Sequence, residues 1–308
     1  MKKNLVKVLI LFTVVFSLTG CTKYLKDGKK IVKNELTGQN LAKNILCQPE
    51  DEETIKTYEK YEIKIDELPK CENLSITNTK YDDLWTTIFV KTLAIIIIKV
   101  GGLVKNYGLA IILITLLIRG LLYPVTKKTA MQSEMMQKAK PELDKLEKKY
   151  AGKNDQQSMM QKSQETMAIY KKYNINPASG CIFSLIQIPL FFAFYEAMNR
   201  LPAIFEENFL GLQLGTSPIV AVQNGKYYYA ILVILVGLVT YFSFKLNKTA
   251  AMAPEQQGQM KMMSNISVIF IVIASISMSA GIELYWIANS GFTVIQNLIV
   301  KKVKKNDK

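Results

Sequence analysis

One arginine stands inside a run of apolar residues. Residues 108–124 read GLAIILITLLIRGLLYP, and Arg119 is the only charge among them. A guanidinium stays charged at any physiological pH and donates through five N–H groups in a planar fork. Its chemistry is recognition of a carboxylate or phosphate, not proton transfer. Inside a bilayer such a charge is costly and turns toward protein or water rather than lipid.

Other apolar runs carry polar groups at matching depth. Arg119 lies about 7 Å along a helix from Pro124, Gln187 about 9 Å from Cys181, and Gln296 about 6 Å from Val300. Thr115 and Arg119 are spaced i, i+4, and Ser184 and Gln187 i, i+3. Trp286, Asn289, Thr293 and Gln296 step by three, four and three along one helix face. A polar stripe facing lipid would leave donors and acceptors unsatisfied. Two readings of this pattern stand side by side. Either the stripes converge on a wet, positively charged groove in the inner half of the bilayer, or the amides join helices while Arg119 snorkels to phosphates.

Composition narrows the chemistry further. The chain has 308 residues, 49% of them hydrophobic, and a formal net charge of +14. The lysines sit in blocks between uncharged runs, which reads as a topology signal and an attraction to anionic headgroups, with RNA as a further target of that charge. There is no histidine, which removes Ser-His-Asp and Cys-His nucleophiles and every His-ligated metal site. Cys21, Cys47, Cys71 and Cys181 are too scattered for a zinc site. No catalytic residue, metal or cofactor is expected.

The elements that must position Arg119 follow in chain order. Residues 1–20 read as a secretory signal, and the ending Leu18-Thr19-Gly20-Cys21 resembles a bacterial lipobox, with Cys21 as the lipidated mature N-terminus. The other reading is an uncleaved anchor with a chance cysteine. Residues 21–83 are polar and of mixed charge: a small ectodomain or a loosely ordered tether. Cys47 and Cys71 there lie in an oxidising compartment, as a disulfide or as two free thiols. Residues 84–104 read as a helix along the outer interface with its lysines reaching headgroups, since one more span would put the basic 125–176 segment outside.

The core is expected over residues 105–305. Its first span crosses inward from Asn106 to Thr126. Residues 125–176 pattern as an antiparallel pair of amphipathic helices around a turn at Gly152-Lys153-Asn154-Asp155, with Pro141 kinking or breaking the first arm. Met131, Met135, Ala139, Leu143, Leu146 and Tyr150 face Met160, Met167 and Tyr170 across the seam, where methionine either packs or greets varied apolar partners. Further spans run from Ala178 to Asn199 and from Tyr227 to Phe244. The stretch 262–300 would reach about 58 Å as one helix, close to two bilayer cores of about 30 Å, so it is two spans with an outer turn near Ser279-Ala280-Gly281. Residues 301–308 form a basic tail. The fold class is an all-α membrane protein: a five-span bundle with a cytoplasmic helical hairpin and an outer interfacial helix.

These residues resemble a known family. Tyr107-Gly108-Leu109 through Leu117-Ile118-Arg119 with Tyr123-Pro124, then Asn176-Pro177-Ala178-Ser179-Gly180-Cys181 with Gln187-Ile188-Pro189-Leu190-Phe191-Phe192, then Leu284-Tyr285-Trp286 with Asn289 and Ile295-Gln296-Asn297, are similar to the YidC/Oxa membrane protein insertases. The lipobox and small ectodomain are similar to its Gram-positive lipoprotein-type branch. The resemblance spans residues 84–305. It implies an insertase and chaperone without metal or nucleotide, which takes polar or acidic segments of nascent membrane proteins into a groove open to cytoplasm and lipid. It implies Arg119 as the charge partner, with Gln187, Trp286 and Gln296 as candidate lining residues; Thr115 and Asn289, on the same polar stripes, complete the expected substrate-binding set. The implied partners are nascent membrane proteins, the bilayer, the Sec translocon and, through the short basic tail, the ribosome; no specific DNA is among them. A transporter or channel subunit using Arg119 as an anion site is the rival reading, but no intramembrane carboxylate pair or repeated half supports it. A lipoprotein that only anchors partners would not need Arg119.

Overall fold

The computed structural model describes residues 22–77, 83–153, 155–176, 179–246 and 254–306. The signal segment and Cys21 lie outside these residues. The chain forms two compact units. The first takes the described parts of Met1–Thr115, with Pro189–Val233 and Ser275–Trp286; the second takes those of Leu116–Ile188, Ile234–Ala274 and Ile287–Lys308.

In the first unit the polar N-terminal segment is folded. Strands β1 (Lys26–Asp27) and β2 (Lys30–Ile31) pair antiparallel. Helix α1 (Glu52–Lys60) is capped by Asp51, which accepts from Thr54 N–H at 2.8 Å, and its acidic first turn suits the helix dipole. Leu25, Leu41, Ala42, Ile45, Tyr58 and Ile65 make a small core, completed by Phe205 from far along the chain. Tyr58 donates its hydroxyl to Ala42 O at 3.0 Å, so the buried phenol is satisfied. Cys47 and Cys71 are joined by a disulfide, with their Cα atoms 4.8 Å apart.

Helix α2 covers Thr86–Val104, opening as a π-turn over Thr86–Lys91. Asp83 caps it, accepting from Thr86 N–H at 2.8 Å. Of its lysines only Lys99 is exposed; Lys91, expected to reach headgroups, is buried. Lys91 shares a face with Ala94 and Ile98, both buried against the rest of the unit, so the helix carries it inward. The chain then turns through Lys105, at a φ of 54°, and Asn106 accepts from Leu109 N–H to start the next helix.

That helix, α3, runs unbroken from Tyr107 to Tyr150, 44 residues or about 66 Å. Pro124 and Pro141 both lie inside it. Of the two outcomes expected at Pro141, a kink or a break, the break does not occur. Pro141 is on the exposed side, where water can bond the carbonyl it frees, while Ala139 and Leu143 beside it are buried in packing.

In the second unit α3 folds back, through a turn with Gly152 at a φ of 76°, onto helix α4 (Gln156–Lys172). Asp155 caps α4 through Ser158 N–H at 2.8 Å. The two arms run antiparallel, tied by Glu142 to Lys172 at 2.6 Å, Glu147 to Lys162 at 2.7 Å and Lys149 to Glu165 at 2.6 Å. The Lys172 ammonium and Tyr173 hydroxyl hold the Glu142 carboxyl below its ordinary range. The seam is Met136, Ala139, Leu143, Tyr170 and Ile175, with Leu146 and Tyr150 also buried. Met160 and Met167, expected in it, face outward at 58% and 47% exposure. The pairing of Lys162 with Glu147 turns the opposite side of α4, which carries them, away from the seam.

Helix α5 (Ser179–Arg200) holds Pro189 inside it, and α6 (Pro202–Phe205) follows. Strands β3 (Asn208–Phe209) and β4 (Leu212–Gln213) form a tight hairpin, then come α7 (Pro218–Gln223) and α8 (Ala230–Leu246), the latter entered through the tight turn Tyr227–Tyr229. Helices α9 (Pro254–Ser275) and α10 (Ala280–Asn306) close the order. Three described helical stretches are long and apolar enough to cross a membrane: Thr86–Val104, Tyr107–Tyr150 and Tyr227–Leu246.

A charged node in the first unit joins the N-terminal fold to α5. Arg200 is 1% exposed; its Nε donates to Asn44 O at 2.7 Å and its own carbonyl accepts from Leu46 N–H. Glu196 approaches Arg200 at 3.9 Å and accepts from Trp85 Nε1 at 3.0 Å. A buried cation is tolerated only where donors and charge are met, and this one meets backbone and carboxylate together.

Candidate functional site

Arg119 is where the sequence pattern and the second unit meet. On α3 the leucines two residues to either side of it, Leu117 and Leu121, are exposed, and Arg119 itself is only 3% exposed. Helical periodicity therefore turns the guanidinium away from the leucine face and into protein. Its Nε donates to Asn289 Oδ1 of α10 and its Nη2 to Gln187 Oε1 of α5, each at 2.6 Å. Three helices thus meet at one side chain. Both acceptors are neutral amides, so these bonds orient the guanidinium without cancelling its charge.

Gln296 is next along α10. Its Nε2 donates to Thr126 Oγ1 at 2.9 Å, between side chains that are both buried. Thr126 was not evident beforehand as a site residue. Its signal is the spacing from Arg119: seven residues, two helical turns on the same face. Thr129 and Ser133 continue that buried polar face down α3, and Ser290, Thr293 and Asn297 do so on α10. Thr293 and Asn297 donate back to α10 carbonyls, at 3.1 and 2.9 Å.

Thr115 and Trp286 belong to the first unit. Thr115 donates to Ile111 O of its own helix at 2.6 Å. Trp286 packs edge-on against Phe191, with ring centroids 5.4 Å apart, beside the stacked pair Phe194 and Tyr285. The structure therefore gathers Arg119, Gln187 and Asn289 directly and places Gln296 on the same polar face of the same unit. Among the described residues no group of three or more cysteines or carboxylates could hold a metal ion. What the arrangement can do is bind an anionic or strongly accepting group at a fixed cation.

A family model described as 60Kd inner membrane protein matches residues 99–308, which contain all six of these positions. The chain is 36% identical over 226 residues to a protein named membrane protein insertase YidC from Oceanobacillus iheyensis, covering 72% of this chain and 85% of that one. It is 38% identical over 225 residues to membrane protein insertase MisCA of Bacillus subtilis, covering 72% and 82%. A crystal structure of an active YidC insertase with its first transmembrane domain resolved is similar at a TM-score of 0.45 and 22% identity, over 80% of this chain and 52% of that chain. On the family match and the two insertase relatives, this chain belongs to the 60Kd inner membrane protein family, the YidC/Oxa membrane protein insertases.

Proposed function

We propose that this chain inserts nascent membrane proteins into the bilayer by receiving a polar or acidic segment at Arg119 in the inner half of the membrane. The carrying observation is the bonding of Arg119 to the neutral amides of Asn289 and Gln187. A carboxylate adds the attraction of a full negative charge to the hydrogen bonds that a neutral amide already accepts from the guanidinium, and it can take two parallel N–H bonds. An arriving carboxylate therefore displaces the amide oxygens, and the amides recover the guanidinium when the segment leaves. A hydrated groove around the guanidinium would shorten the dry path that a polar tail must cross, out of about 30 Å of hydrocarbon.

The topology that serves this is five spans. The lipidated Cys21 and the ectodomain lie outside. The hairpin of α3 and α4, the connection from α8 to α9 and the basic tail lie in the cytoplasm, where their lysines satisfy the positive-inside preference. Helix α2 lies along the outer interface. Two contacts support that placement: Trp85 before it bonds Glu196, and Asn106 after it bonds Asn208 O at 3.2 Å. Both of its ends thus meet the same short stretch of chain, Glu196 to Asn208, as a helix lying flat allows. The hairpin presents Met159, Met160 and Met167 outward, an adaptable apolar surface for incoming segments. The Sec translocon and the ribosome are further partners of this cytoplasmic side. The deciding experiment compares Arg119→Ala with the unsubstituted chain on two substrates that differ only in an acidic or neutral tail. Insertion of the acidic tail falls more; equal insertion of both by both proteins removes the role assigned to the charge.

A further inference from the structure

The hairpin Asn208–Gln213 places a leucine where water favours almost any other choice. Leu210 and Gly211 are its two turn residues, both at positive φ, 52° and 79°. That is a type I′ turn, whose first position suits Asn, Asp or Gly. Leucine in the left-handed region is strained, and here it is also 85% exposed. Strain and exposure together need a compensating environment.

The tip is held firmly. Asn106 donates to Asn208 O, Tyr228 donates its hydroxyl to Gly211 O at 3.1 Å, and Gln213 N–H donates to the Tyr229 hydroxyl at 2.6 Å. Phe209 packs flat on Gly108, where an added Cβ would come within 2.4 Å of its ring. The hairpin is therefore clamped between the start of α3 and the start of α8, both of them apolar stretches long enough to cross a membrane. Tyr228, which bonds the turn, is 51% exposed, and Tyr227 and Ile231 close to it in sequence are 71% and 49% exposed. Lys105 and Lys226, both exposed, adjoin the two clamping stretches. Exposed aliphatic tip, tyrosines and lysines, in that company, match the layering of acyl chain, headgroup boundary and phosphate.

We propose that the Asn208–Gln213 hairpin is a lipid-facing wedge, with Leu210 seated in the outer leaflet just beneath the headgroups. It fixes how deep the start of α8 sits in that leaflet. The occupant is the bilayer because the exposed leucine sits on a turn bonded to the start of a helix long and apolar enough to cross a membrane. The inference rests on the five-span topology, so the test carries an internal control for it.

Leu210→Cys, Leu238→Cys and Asn224→Cys are each labelled with a nitroxide in the full chain, in vesicles of phosphatidylethanolamine and phosphatidylglycerol. The unsubstituted protein, labelled in parallel, supplies the background. Relaxation by oxygen and by a water-soluble nickel chelate is measured at each position. At 210 oxygen exceeds the chelate, as it does at mid-helix 238, and the reverse holds at 224. A lipid signal at 238 with a water signal at 210 overturns the wedge and leaves the span standing. A water signal at 238 overturns the topology itself. Protection of 210 from both reagents means a protein surface covers the tip, and also overturns the wedge.

Discussion

Arg119 and Asn289 lie 170 positions apart, and a hydrogen bond of 2.6 Å from Nε to Oδ1 joins them across α3 and α10. The acceptor is an amide, one atom's difference from a carboxylate of the same shape. Asn289→Asp should turn a displaceable partner into a lasting ion pair, which substrate carboxylates must then break. Insertion of acidic-tailed substrates should fall about tenfold or more, as expected for a charged hydrogen bond of about 1.5–3 kcal/mol, with the protein still folded. Quantifying membrane-inserted product for Asn289→Asp beside the unsubstituted chain checks this; an unchanged yield refutes the exchange at Arg119.

Gln187 and Gln296 differ in their access. Gln296 is 4% exposed and bonded to Thr126, whereas Gln187 is only partly buried. If water reaches Arg119 from the Gln187 side, Gln187→Cys reacts with a membrane-impermeant thiol reagent faster than Gln296→Cys, applied from the cytoplasm. The ratio of labelling rates in inside-out vesicles is the measurement. Protection of both cysteines would remove the hydrated groove.

Arg200 sets the attachment of the N-terminal fold. Losing a buried hydrogen bond from a charged donor costs about 1.5–3 kcal/mol. Arg200→Met strips Asn44 O of its donor and leaves Glu196 without its neighbouring cation. The expected result is faster proteolysis within residues 22–77, with the hairpin of α3 and α4 protected as before. Limited digestion of both proteins in membranes reads this directly.

Glu206 makes the same attachment sensitive to pH. Burial pushes its carboxyl up to about 7, opposed by the Glu50 N–H that donates to Oε2 at 3.0 Å. A carboxyl raised above its unfolded range stabilises the fold in acid, and that contribution is lost as pH rises through the folded value. The N-terminal fold should therefore resist protease better at pH 5.5 than at pH 8. Glu206→Gln keeps an acceptor and removes the charge, so the pH dependence should flatten. A slope unchanged by the substitution would assign it to another group.

Much of this was legible beforehand because hydropathy and helical periodicity are local. Arg119 on the face opposite Leu117 and Leu121 follows from spacing alone, as does the return of the chain at Gly152. The misplacements have one cause. Periodicity assigns a side chain to a face of its own helix but does not say which neighbour that face meets. Met160 and Met167 share a stripe with each other, yet the stripe is turned outward by the pairing of Lys162 with Glu147. Lys91 was given to headgroups, yet its face packs inward.

By itself the sequence determined helices with long apolar stretches, one of which carries the guanidinium of Arg119, and the faces of their own helices on which Gln187, Asn289 and Gln296 lie, since those properties depend on residues within a few turns of one another. Tertiary structure alone decided that Asn289 and Gln187 hold Arg119, that Gln296 bonds Thr126, and that the N-terminal segment closes its core with Phe205. Each of those contacts joins residues more than 60 positions apart, and which partners meet is set by helix packing, where many faces compete and only the assembled bundle selects among them.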